Sequence, residues 1–288
     1  MSHIKLLKLL IEAEESGSPS EGGAGDDRLK KIFQKDYKSF MASLGDLAKD
    51  EKFRSFIDSE AALKSTVKST AIPVKDLKPT QNEIDIDGSL KFPLTNMETA
   101  QKIVKGGAVT IKGPIISFNG KYVIDGHHRW SQIYAANPEA SVNALDFSNS
   151  EISEPLDALK ITQVAIVKAG AKEIPSEPVK GLNLLKAGKD EIVKYVKDNL
   201  KDEAILDLYK QKMEVEDIDG VADGIWNNVE SMQKTSQPVS GAPERGVMPQ
   251  TDKAPGGVDN VVKALKTGLP SLKEERNRLQ KIAGIKRK

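Results

Sequence analysis

The chain has 288 residues, only 38% of them hydrophobic and 5% aromatic, and its 43 basic and 42 acidic side chains leave a net charge of +1. That balance removes any global electrostatic case for nucleic-acid binding, so local patches must carry one, and the composition fits one compact core with helical extensions and linkers better than two domains. With no cysteine there is no disulfide or thiol chemistry, which fits a reducing compartment, and no apolar run approaches the ~20 residues that span a bilayer.

Residues 1–15 alternate Lys with Leu and Ile at helical spacing and read as a short amphipathic helix. The segment lacks the long apolar stretch and small-residue cleavage site of a secretory signal. Its stripe is short and its polar face mixed in sign, so docking onto a protein partner or its own chain is expected, and no membrane contact. Residues 16–27 (SGSPSEGGAGDD) form a Gly/Ser-rich linker. Residues 28–68 are a helical lead-in with Leu29, Ile32, Phe33, Tyr37, Phe40, Met41 and Leu44 in phase, a break near Gly45, and Phe53, Phe56 and Ile57 beyond it.

Residues 69–147 mix the two periodicities. Met97, Ala100, Gln101, Ile103 and Val104 predict a helix that Gly106-Gly107 ends. Ile115, Ile116, Ser117 and Phe118 lead into Asn119-Gly120, and Tyr122, Val123 and Ile124 resume a β-branched and aromatic run. Asn-Gly between two such runs predicts a hairpin with a type I′ turn. Arg129, Trp130, Ile133 and Tyr134 then recur at helical spacing until Asn137-Pro138, with Trp130 as a core anchor, and Val142, Ala144, Leu145 and Phe147 read as a closing strand. Strand, helix, hairpin, helix and strand in that order predict a small α+β domain.

Residues 148–235 are a helical region, with helices expected over 155–168, 190–200, 202–213 and 218–232 and no clear helix-turn-helix pair. Residues 236–257 (SQPVSGAPERGVMPQTDKAPGG within them) carry Pro and Gly throughout and read as a second flexible linker. Residues 258–288 are a short helix and a basic tail whose Lys273, Arg276, Arg278, Lys281, Lys286, Arg287 and Lys288 face only Glu274 and Glu275. Such a tail serves DNA phosphates, with steep salt dependence, or a protein partner, and the sequence leaves both open.

The chemistry concentrates at Lys121 to Trp130, KYVIDGHHRW, where a strand feeds a helix through Asp125-Gly126. The first amides of a helix lack intrahelical partners and carry the positive end of its dipole, so a phosphate is favoured there. Gly126 lets the backbone approach closely, Arg129 can add a bidentate fork, and His127 and His128 can donate hydrogen bonds or move protons near neutral pH. Asp125 suits the helix cap as well as it suits chemistry. Histidine or cysteine ligation of a metal is nearly excluded, because His3 is the only other histidine. Asp85-Ile86-Asp87-Gly88 reads as a loop, so no protein-held metal is expected and Mg²⁺ is expected with a nucleotide.

The run Ile72-Pro73-Val74-Lys75-Asp76-Leu77-Lys78-Pro79-Thr80-Gln81-Asn82-Glu83-Ile84, followed by Asp125-Gly126-His127-His128-Arg129, resembles the ParB/sulfiredoxin superfamily over about residues 69–147. The resemblance implies a phosphate-binding G-x-x-R element at Gly126 to Arg129; beside it, Asp125, Thr80 and Gln81 are candidate nucleotide contacts, with Thr80 and Gln81 equally readable as turn residues. Members include DNA clamps of the ParB type, ParB-like nucleases, sulfiredoxin reductases and free-serine kinases, so the fold does not settle the chemistry. Reductase activity needs a thiol that this chain lacks. The D-G-H-H-R spelling is closest to the nuclease and serine-kinase branches, which implies Glu83 as general base, with His127 and His128 as further catalytic candidates. The expected function is nucleotide binding with phosphoryl transfer or nucleotide hydrolysis, using ATP, ADP or CTP with Mg²⁺. The alternatives are a DNA-associated ParB-like clamp or nuclease, and a non-enzymatic scaffold of a phage particle. A cytoplasmic location is expected, or host cytoplasm or virion for a phage protein.

Overall fold

In the computed structural model, residues 24–59, 63–150, 152–173 and 181–269 are described. The expected amphipathic helix at 1–15, the start of the first linker and the basic tail lie outside the described residues. Three helices open the described chain: α1 (Ala24–Phe33), α2 (Tyr37–Leu47) and α3 (Glu51–Ser59). Asp36 caps α2, its carboxylate accepting from Ser39 N at 3.0 Å, and the helix runs through Gly45, where a break was expected. One glycine costs a helix about 1 kcal/mol, which the burial of Phe40 and Leu44 on the same helix outweighs.

The sheet is built from β1 (Thr66–Pro73), β2 (Lys78–Pro79), β3 (Ala108–Val109), β4 (Ile115–Phe118), β5 (Tyr122–Asp125) and β6 (Ser141–Ser148) in the order β1-β6-β4-β5-β2, with β3 also pairing β6. Between these strands lie a π-type turn at Asp87–Lys91, α4 (Phe92–Thr95), α5 (Met97–Lys105) and α6 (His127–Ala136). β6 runs antiparallel to β1 from Thr66↔Ser148 to Pro73↔Ser141 and parallel to β4, while β4 and β5 form the antiparallel hairpin. All four residues of β4 are buried, as a central strand requires. With helices on this mixed sheet, the fold is α+β.

Side chains from the sheet enter two apolar clusters. Ile72, Val123, Val142 and Ala144 join Trp130, Ile133 and Tyr134 of α6 together with α8 (Lys189–Asn199), α9 (Glu203–Met213) and α10 (Ile218–Thr235), which contribute Val196, Tyr209 and Val229. Ile116, Phe118, Ile124 and Phe147 join Phe40 and Phe53 of the opening helices, Leu159 and Val164 of α7 (Pro155–Lys168), and Val261 and Leu265 of α11 (Gly257–Thr267). The helices before and after the sheet therefore share its cores, each burying a side chain that strand residues alone leave half-covered.

Residues 236–256, read from sequence as a flexible linker, pack along this body. Val239 N donates to Pro79 O at 3.1 Å, Asn82 N donates to Pro243 O at 3.0 Å, and Asn82 Nδ2 donates to Ala242 O at 2.9 Å. Met248 and Ala254 are buried in the second cluster. Pro and Gly weaken periodic structure, but they do not stop loop backbone from bonding to loop backbone once apolar anchors hold it.

Phe118 is fully buried, its ring centroid 5.1 Å from that of Phe147. We expect Phe118→Ala to lower unfolding free energy by about 3–5 kcal/mol in urea titration; a loss under 1 kcal/mol would show that this cluster does not anchor the sheet.

Candidate functional site

The hairpin that delivers the site forms as its residues dictate. Asn119 and Gly120 have φ of 53° and 64°, and Lys121 N donates to Phe118 O at 3.1 Å, closing a turn with two left-handed central residues. Asp146 Oδ1 accepts from Ser117 Oγ at 2.7 Å and from Gly120 N at 2.8 Å, tying the turn to β6. The β4–β5 register slips, with Ile116 opposite Asp125 but Ser117 opposite Val123. The extra residue, Ile124, gives a bulge that bends the strand just before Asp125.

At Gly126 the backbone turns left-handed, with φ 94° and ψ 29°. A Cβ there would stand 2.8 Å from Ile115 Cγ2 and 2.9 Å from Arg129 Nε. The first intrahelical bond of α6 runs from Trp130 N to Gly126 O at 3.0 Å, so the amides of His127, His128 and Arg129 lie at the positive end of the helix. Asp125 does not cap this helix with its side chain; the cap position falls on Gly126.

The two histidines have different surroundings. His127 is 5% exposed, and its Nε2 accepts from Thr80 N at 3.1 Å. That acceptor role assigns the proton to Nδ1, and the ring also bonds to the Val123 backbone. Thr80 Oγ1 donates to Val123 O at 2.6 Å. Burial, and then the charges of His128, Arg245 and Arg129, push His127 down to about 3, so it is neutral. His127 and the fully buried Thr80 thus brace the end of β2 against β5.

His128 is half-buried, its ring packed on Gly88, where a Cβ would lie 2.7 Å from it. Arg245 Nη1 lies 2.8 Å from the ring nitrogens. Burial first, and then Arg245 and Arg129, push His128 down to about 3. Arg129 Nη1 donates to Pro114 O at 2.6 Å, and its Nη2 lies 3.5 Å from Asp125 Oδ2, with 23% of the side chain exposed. Asp125 accepts a hydrogen bond from Thr251 Oγ1. Burial pushes its carboxyl pKa up, Arg129 and Thr251 pull against that shift, and Asp252 adds to it.

The remaining candidates lie apart. Gln81 is buried, with its Nε2 donating to Glu83 O. Glu83 is half-buried and makes no hydrogen bond or ion pair with residues 125–129 among the described residues. Asn183 fastens the Glu83 loop, its Nδ2 donating to Asn82 O at 3.0 Å. Asp85 Oδ1 accepts from Gly88 N at 3.0 Å, and Asp87 accepts from the Tyr195 hydroxyl. Among the described residues no three His, Asp or Glu side chains group as metal ligands. A cavity of about 160 Å³ is lined by Asn82, Leu185, Lys186, Gln233, Ser236 and Gln237 but by none of residues 125–129.

Arg245 and Thr251 were missed from sequence. They sit 117 and 126 positions from their partners in a segment without periodicity, and the only local hint is a lone arginine in Pro243-Glu244-Arg245-Gly246.

Both histidines bind protons more weakly in the folded chain than in the unfolded one. Their stabilising contribution is present above about pH 6.5 and is lost as pH falls toward 3, at up to about 1.4 kcal/mol per pH unit for each. Asp125, shifted upward, acts in the opposite sense and offsets part of this. We expect the urea midpoint to fall between pH 7 and pH 5; an unchanged or higher midpoint at pH 5 would contradict buried, neutral histidines. Compared with protein-family models, with curated proteins and with solved structures, the chain matches none of them.

Proposed function

We propose that this chain is a nucleotide-binding protein of ParB/sulfiredoxin-like type, holding a phosphate of ATP, ADP or CTP with Mg²⁺ at Gly126 to Arg129 and transferring or hydrolysing it. One observation carries the reading: at the first turn of a ten-residue helix two guanidiniums, Arg129 and Arg245, act on His128, with Arg245 Nη1 2.8 Å from its ring nitrogens. A partly exposed helix start with two guanidiniums and open helix amides favours a multiply charged oxyanion. The chemistry then falls to two groups. Asp125 has a carboxyl of raised pKa already bonded to a hydroxyl, and His128 can take a proton once an anion offsets Arg129 and Arg245. Glu83 has no such link to the turn.

A specific observation also favours the scaffold reading. His127, Thr80 and Gln81 are spent on the chain's own backbone, and Arg129 already serves Pro114 O. A turn whose bonds are all internal needs no ligand to be stable.

Calorimetric titration of ATP, ADP and CTP with Mg²⁺ separates the two. We expect saturable binding that weakens about 10- to 100-fold in Arg129→Ala, the range for losing a charge-assisted hydrogen bond. Melting curves would check that the variant keeps its fold after losing the Pro114 contact. No binding by the unaltered chain would sink the nucleotide reading and leave the scaffold one.

A further inference from the structure

The segment 236–256 touches the turn at two points far apart along its own length. Arg245 reaches the His128 ring, and six residues later Thr251 bonds to Asp125. Between and around them the segment is fastened by Asn82 to Ala242 and Pro243, by Val239 to Pro79, and by the burial of Met248 and Ala254. Gln163 Nε2 of α7 and the Tyr37 hydroxyl of α2 both donate to Val247 O, at 3.2 and 3.0 Å, so these two helices also hold it. This strap lies against the helix start, where Asp125, Gly126, His128 and Arg129 remain partly exposed.

We propose that the strap is part of the binding site, with Arg245 as the second guanidinium that grips the phosphate chain of a nucleoside di- or triphosphate, so that ligand binding and strap anchoring are one linked equilibrium. The inference rests on the nucleotide reading above. Arg245 and Arg129 come to the helix start from distant parts of the sequence and both act on the His128 ring, so an anion seated at that ring meets two guanidiniums. A single guanidinium satisfies one phosphate fork, whereas two can span adjacent phosphates. Whatever binds both arms ties the strap to α6, and by linkage a loosened strap weakens the ligand by the same factor.

The opposite arrangement, a strap that competes with the ligand, makes the reverse prediction. The test measures ATP–Mg²⁺ and CTP–Mg²⁺ affinity by calorimetry on the full chain, on Arg245→Ala, on Arg245→Lys and on Thr251→Val, with backbone hydrogen exchange of residues 236–256 followed with and without nucleotide. We expect Arg245→Ala to bind at least 10-fold more weakly, Arg245→Lys to recover part of the loss, and Thr251→Val to bind a few-fold more weakly through a looser strap. We also expect nucleotide to slow exchange across 239–254 in the unaltered chain and not in Arg245→Ala. Nucleotide binding that is unchanged or tighter in Arg245→Ala, with no slowing of exchange, overturns this inference while leaving the nucleotide reading intact. Absence of binding to the unaltered chain overturns both.

Discussion

At Gly126 the chain must pass from the end of β5 into α6 in one residue, and it does so in the left-handed region, with Ile115 and Arg129 within 3 Å of where a Cβ would be. Only glycine meets both demands. Everything at the site depends on that turn: it sets the direction of α6, leaves the amides of 127–129 at its open end, and puts Arg129 over Asp125. The bulge at Ile124 upstream and the Trp130 indole downstream, which donates to Val74 O at 2.9 Å, hold the turn from either side.

The turn is rigid because distant parts of the chain converge on it. The end of β2 arrives through Thr80 and His127, the π-type turn through Gly88 under His128 and through Gln132 Nε2 donating to Gly88 O, and the strap through Arg245 and Thr251. α10 supports the other end of α6, with Asn228 Nδ2 donating to Ala135 O and Tyr134 and Thr235 sharing a hydrogen bond. Such support lets a small cluster keep two guanidiniums beside a neutral imidazole, an arrangement that exposed, mobile side chains would relax by moving apart.

What could be read from the sequence was local. Asn119-Gly120 between two apolar runs meant a tight hairpin, and Arg129, Trp130, Ile133 and Tyr134 at helical spacing meant a helix with Trp130 inside; both signals lie within a dozen residues and depend on backbone preference and period. The α+β class followed from the order of those elements. The division of labour between His127 and His128 was not legible, because adjacent letters in a helix point about 100° apart and only the fold says which faces Thr80. Glu83 was singled out through the resemblance alone, and the Asn82–Asn183 contact that fastens its loop had no signal in the sequence. The strap was hidden for a related reason: Pro and Gly mark the absence of helix and strand, and say nothing about whether a loop is held by Met248, Ala254 and a handful of backbone bonds. Gly45 shows the converse, a local signal for a break overruled by packing.

On the proposed reading, the start of α6 is a cationic anion site in which His128 stays neutral until a ligand arrives. The most direct measurement is the titration of the His128 ring by NMR, with and without inorganic triphosphate. The account predicts a ring still neutral at pH 5 in the free protein, with its pKa moving upward when triphosphate binds, because the anion offsets Arg129 and Arg245. A ring that titrates near 6.5 in the free protein, or one that triphosphate leaves unmoved, would contradict it.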